Sequence, residues 1–174
     1  MHVRAVFPGS FDPVHFGHMD IARRAARLFD ELVVAVYANP QKNLLFTTEE
    51  RLALLREAMA DVSNITVASY TGLTINFAKS IGAKVMVRGL RVFSDFDNEF
   101  RMALANQELD KNIETIALIT DHRYTFISSS TVKEIVTLGG EVTAMLPPFV
   151  ETAIRQKIHE HDGTGPAVRK QSGL

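Results

Sequence analysis

The chain of 174 residues contains no cysteine. Disulfides, thiolate metal sites and cysteine nucleophiles are therefore excluded, and a fold held by packing suits a reducing compartment. Charge of one sign is also lacking: 19 Lys and Arg stand against 20 Asp and Glu, a formal net charge of −1. A general polyanion binder needs a basic surplus, so nucleic acid is not the expected partner. No apolar run approaches the roughly 18 residues of a membrane span, and Pro8 and Gly9 interrupt the N-terminal stretch before a signal-peptide core can form. What is present is 46% apolar and 22% charged residues, an ordinary globular composition sufficient for one sizeable core. These features predict a soluble, cytoplasmic protein with neither membrane nor nucleic acid as partner.

Short apolar runs rich in β-branched residues alternate with segments of helical period. Strands are predicted at Val3 to Phe7, Leu32 to Ala38, Ile65 to Ser69, Lys84 to Val87 and Thr115 to Ile119. The first helix, Gly17 to Phe29, places Ile21, Ala22, Ala25, Leu28 and Phe29 on one stripe and turns Arg23, Arg24 and Arg27 outward. Thr47 and Glu50 have the spacing of a capping box for the second. Further helices are predicted at Leu73 to Ile81, stopped by Gly82, at Ser94 to Asp110, at Ser128 to Leu138 and at Pro147 to His161. Strict alternation of strand and helix predicts a single α/β domain over 1–162: a doubly wound, Rossmann-like, five-stranded parallel sheet with helices on both faces. Residues 163–174 lack periodicity and large apolar side chains, the composition of a flexible tail. Ligands of such sheets bind beyond the carboxyl ends of the strands.

The loop after the first strand, Pro8-Gly9-Ser10-Phe11-Asp12-Pro13-Val14-His15-Phe16-Gly17-His18, is the most informative stretch. Gly9 and Gly17 permit close backbone approach or positive φ, and the helix start near Gly17 offers free N–H groups and a positive dipole end to a phosphate. His15 and His18 flank that turn, with His18 nearest the anion. Either histidine alone reads as a structural hydrogen-bonding group; together with the glycines they favour an anion site. A metal site of Asp12, His15 and His18 is a weaker alternative, because the spacing matches no familiar ligand pattern. After the fourth strand, Arg88 and Arg91 flank Gly89 at the ligand edge, where guanidinium groups suit phosphate oxygens. Ser128-Ser129-Ser130 opens a helix, where one serine serves as an ordinary cap and three suggest an anion.

His15-Phe16-Gly17-His18 behind Gly9-Ser10-Phe11-Asp12-Pro13 resembles the (H/T)xGH signature of the nucleotidyltransferase superfamily. Arg88-Gly89-Leu90-Arg91, Asp95 to Phe100, Tyr124 to Glu134 and Lys42 extend the resemblance nearly collinearly from Val3 to about His159. They match the pantetheine-phosphate adenylyltransferase family. Many relatives have Thr and Asn where this chain has His15 and Phe16. The resemblance implies transfer of the adenylyl group of ATP to 4′-phosphopantetheine, giving dephospho-coenzyme A and pyrophosphate in coenzyme A biosynthesis. It implies catalytic roles for His18, Lys42 and Arg91. It places Ser10, Lys42, Thr74, Arg88, Met102 and Asn106 on the acceptor, and Ser10, Phe11, His18, Gly89, Leu90, Arg91, Glu99, Tyr124, Thr125, Phe126, Ile127, Ser128, Ser129 and Ser130 on ATP. Without it, Lys42 and Glu99 read as solvated charges and Met102 as a core residue. It further implies Mg2+ held by substrate phosphates and water rather than by protein ligands, a homohexamer, with Thr71 to Phe77 as one apolar contact segment, and coenzyme A as a possible feedback ligand. Two alternatives stay open: another small-molecule adenylyl- or cytidylyltransferase, and an ATP-sensing module without chemistry.

Overall fold

The computed structural model describes residues 2–39 and 44–161. Five strands alternate with helices: β1 Arg4–Gly9, α1 Phe16–Ala26, β2 Glu31–Tyr37, α2 Thr48–Ala58, β3 Ile65–Tyr70, α3 Thr74–Ser80, β4 Val85–Leu90, α4 Phe93–Leu109 and β5 Glu114–Ile119. A short 3-10 turn, α5 Ser129–Thr137 and α6 Pro148–His161 follow. The sheet is parallel throughout, in the order β3-β2-β1-β4-β5. The predicted doubly wound architecture is therefore the one observed. The expected tail, 163–174, lies outside the described residues.

Alternation along each strand distributes side chains between two cores. Ala5 and Phe7, Leu32, Val34 and Val36, and Val85 and Val87 face α1, α2, α5 and α6. Val6, Val33, Ala35 and Met86 face the opposite layer, where Ile75 and Ala78 of α3 cover them. The inner strands β1 and β2 are buried on both faces, which explains their continuous apolar runs. β5, at the edge, has exposed and half-buried positions and no fully buried one.

Several boundaries differ from the sequence pattern, each for a local reason. The first helix ends at Ala26 and Leu28 is exposed, so the predicted helix is too long, whereas Phe29 still packs against the core from beyond the helix end. Val92 rather than Ser94 occupies the cap of α4, without a side-chain hydrogen bond. The capping box of Thr47 and Glu50 forms as expected, and Gly82 stops α3 with a φ of 68°. β4 runs on through Arg88, Gly89 and Leu90 because those residues pair with Ala117, Leu118 and Ile119 of β5. Arg88 is thus a strand residue, while Arg91 lies just past the strand end; the two do not share a loop.

The chain proceeds outward from β1 to β3 and then returns to β4 on the other side. This reversal opens a crevice at the carboxyl ends of β1 and β4, which is where ligands of such sheets bind.

Candidate active site

Two adjoining cavities occupy that crevice. The first, about 540 Å³, lies over the β1–α1 loop, the end of β4 and the start of α5. The second, about 450 Å³, lies between α3 and α4. They share Pro8, Gly9, Ser10 and Arg88. A ligand in one therefore meets a ligand in the other at the Ser10 and Arg88 junction.

The start of α1 is built by its histidines. His15 is the N-cap; its Nδ1 accepts from the His18 amide at 3.3 Å, and His18 Nδ1 accepts from the His15 amide at 3.3 Å. The two rings stack with centroids 3.6 Å apart. Because each Nδ1 accepts, each neutral ring carries its proton on Nε2. His18 is thereby prepared as an Nε2–H donor at the dipole end of the helix. A Cβ on Gly17 would come within 3.1 Å of the His15 ring, and one on Gly9 within 2.9 Å of the Phe11 ring. Neither glycine has positive φ. Their function is close approach, one of the two uses that the sequence allowed.

Phe11 is the residue with φ of 50°. Its ring is buried, edge-on to Phe7 at 5.4 Å and to His18 at 4.9 Å. The imidazole is therefore held by stacking on one side and an aromatic edge on another. Burial, helped by the charge of Arg91, pushes the His15 pKa down to about 3. The folded protein thus refuses a proton that the unfolded chain takes up near pH 6.5. The corresponding stability is present above pH 6.5 and is lost as pH falls toward 3, at up to about 1.4 kcal/mol per pH unit. His15→Asn keeps a capping oxygen and removes the titration, so the slope of unfolding free energy between pH 6 and 4 flattens by up to one proton. Urea midpoints at several pH values measure it, and an unchanged slope refutes the neutral buried imidazole.

The arginines are held in defined poses. Arg88 donates through Nε and Nη2 to Glu99 at 2.6 and 2.7 Å, and through Nη1 to the Pro8 carbonyl at 2.9 Å. Arg91 forks onto Asp95 and donates to the Ile127 carbonyl at 2.9 Å. Ser128 caps α5, its hydroxyl accepting from the Thr131 amide, and Ser129 donates to the Pro13 carbonyl. Two of the three serine hydroxyls thus have structural partners, which leaves the amides of the helix start as the feature suited to an anion. Asp12, Asp95 and Glu99 all have hydrogen-bonding partners. In particular the Asp12 carboxylate accepts from Leu45, Phe46 and Lys133, which removes it from the alternative of a metal site with His15 and His18.

Residues 6–135 match the Cytidylyltransferase-like family. A phosphopantetheine adenylyltransferase of Carboxydothermus hydrogenoformans is 51% identical over 156 residues, covering 90% of this chain and 96% of that protein. Its namesake in Herpetosiphon aurantiacus is 47% identical over 158 residues, covering 91% and 96%. The chain belongs to the phosphopantetheine adenylyltransferase family. A crystal structure bearing the name nicotinate-nucleotide adenylyltransferase, from Vibrio parahaemolyticus, superposes with a TM-score of 0.66 over 94% of both chains. At 19% identity it shares the fold.

Within this family frame, Ser10, Phe11, His18, Gly89, Arg91 and Ser128 to Ser130 line the first cavity with Arg88. Ser10, Thr74, Arg88, Glu99, Met102 and Asn106 line the second. Glu99, expected on ATP, lines this second cavity, where its carboxylate accepts from Arg88. Met102 is half exposed rather than a core residue, whereas Asn106 is buried and donates to the Met86 sulfur. Leu90, Tyr124, Thr125, Phe126 and Ile127 line neither cavity; Ile127 is fully buried and contributes its carbonyl to Arg91. Lys42 lies outside the described residues. Sequence reading missed Lys133 and Arg51. Lys133 follows Ser129 by one helical turn, and Arg51 is a cation in the first turn of α2, against the helix dipole. Both signals were visible.

Proposed function

We propose that this protein transfers the adenylyl group of ATP to 4′-phosphopantetheine, with dephospho-coenzyme A and pyrophosphate as products. The observation that carries the reading is the pair of cavities meeting at Ser10 and Arg88, one floored by a helix start and the other running between α3 and α4. The triphosphate occupies the first and the pantetheine arm the second, so the acceptor phosphate comes to rest at Arg88.

An acceptor phosphate oxygen attacks the α-phosphorus. The new P–O bond forms as the bond to the bridging oxygen breaks, and pyrophosphate leaves with that electron pair. The attacking oxygen is already anionic, so no side chain has to remove a proton and catalysis reduces to positioning and charge stabilisation. His18 Nε2–H and the amides of α1 stabilise the charge gathering on the α-phosphoryl oxygens. Arg91, fixed by Asp95 and Ile127, and the start of α5 support the ATP phosphates, with Lys42 assigned to both substrates by the family resemblance.

Mg2+ belongs to the same proposal as an ion carried by the substrate. Among the described residues no three His, Asp or Glu side chains form a cation cage, and the Asp12 carboxylate is occupied. This donor set fits an ion ligated by phosphate oxygens and water. An ion held there would supply neutralisation of the charge on the departing pyrophosphate. A homohexamer, feedback by coenzyme A and a cytoplasmic location complete the proposal. Among the described residues no helix is long and apolar enough to cross a membrane. Phe93, Phe96 and Phe100, stacked along α4 and exposed, form an apolar surface that assembly of copies would cover, and in Thr71 to Phe77 the exposed Leu73 offers a second while Ile75 is buried.

Pyrophosphate release from ATP, followed with 4′-phosphopantetheine, nicotinate mononucleotide and glycerol 3-phosphate as acceptors, tests the reading. Release with the first acceptor alone is expected. Tight ATP binding without release with any of them refutes it in favour of a sensing module.

A further inference from the structure

We propose that Arg51 is a positioning residue for adenylyl transfer, a buried clamp that sets the spacing between the β1–α1 loop and the connection from β2 to α2. The inference rests on the function proposed above. Arg51 has no exposed surface, and its five N–H bonds find five main-chain or hydroxyl oxygens. Nη1 donates to the carbonyls of Ser10 and Tyr37, both at 2.9 Å. Nη2 donates to the Ala38 carbonyl at 3.3 Å and the Thr48 hydroxyl at 3.1 Å, and Nε to the Thr47 carbonyl at 3.3 Å. One planar group thus joins Ser10, where the two cavities meet, to both described ends of the connection.

Asp12 repeats the connection with the opposite charge. Its carboxylate accepts from the Leu45 and Phe46 amides and from Lys133 Nζ at 2.7 Å, bringing the start of α5 into the same frame. Stability alone is a poor account of this arrangement. A cation in the first turn of a helix opposes the dipole, burial disfavours its charge, and an apolar side chain of similar volume often serves a core equally well. What an apolar residue cannot do is fix five oxygens on three segments at hydrogen-bonding distance. Two of the five oxygens belong to cavity-lining residues, Ser10 in both cavities and Tyr37 in the second, and errors of about an ångström at the junction of the two are costly in rate.

The test compares wild type, Arg51→Lys and Arg51→Met in pyrophosphate release with 4′-phosphopantetheine, at a temperature where circular dichroism shows each variant folded. Amide hydrogen exchange at Leu45 and Phe46 is followed in parallel. For Arg51→Met, kcat is expected to fall about 10- to 100-fold with KM for ATP changed less than threefold, and exchange at Leu45 and Phe46 is expected to rise. Arg51→Lys should recover part of kcat. Should the Met variant fail to fold, the Lys variant carries the test, with an expected three- to tenfold loss of kcat. A folded variant with wild-type kcat overturns the clamp even if its melting temperature drops, since a purely structural arginine predicts that result. Inactivity of the wild type itself would instead overturn the functional reading, and the clamp with it.

Discussion

His18→Ala lowers turnover about 100-fold while ATP affinity changes less than threefold, because the lost donor acts mainly on charge that develops during reaction. Removal of one preorganised donor to a developing oxyanion typically costs about 3 kcal/mol in the barrier. Here the donor is aimed in advance: Nδ1 is engaged by the His15 amide, the ring is stacked on His15 at 3.6 Å, and Phe11 abuts its edge. Nothing has to be reorganised as the α-phosphoryl oxygens gain charge. The same substitution removes one hydrogen bond of the helix cap, worth about 1 kcal/mol, so the melting temperature falls only slightly. Pyrophosphate release at saturating substrates and calorimetric titration of ATP separate the two effects. Turnover equal to wild type would remove His18 from the reaction.

Arg88→Ala raises KM for 4′-phosphopantetheine about 10- to 100-fold and affects ATP binding much less, on the scale of about 1.5–3 kcal/mol for hydrogen bonds to a charged group. Arg88 belongs to the wall common to both cavities, yet its guanidinium is turned toward Glu99 on the acceptor side. Its loss leaves the Glu99 carboxylate facing an incoming phosphate, so repulsion adds to the missing contact. A double variant, Arg88→Ala with Glu99→Ala, should therefore bind the acceptor better than Arg88→Ala alone, the non-additivity expected of contacting residues. Equal weakening of ATP and acceptor would move Arg88 to the nucleotide.

Several features of the site were legible before any coordinates. Gly17 and His18 announced a tight helix start, and the alternation of β-branched runs with amphipathic segments announced the parallel sheet. Where the reading failed, the missing information was non-local. That Arg88 continues β4 depends on pairing with Ala117 of β5, almost thirty positions downstream and invisible to local period. The surroundings of Glu99 are non-local for a related reason: a helix face can be deduced from spacing, but the cavity it looks into depends on how α4 packs.

His15 shows the division most sharply. Its place three residues before His18 is a matter of chain order, and so is the capping geometry that this interval permits. That its ring is buried and kept neutral follows from the packing of segments remote in sequence, including Arg91 beyond β4. The order of residues was enough to specify strands, helices and the tight turn into α1, because those depend on short-range period and backbone sterics. The meeting of two cavities at Arg88, and the burial of Arg51 among five oxygens, came from folding, because solvent exclusion and hydrogen-bond partners are properties of the packed chain and not of any one stretch of it.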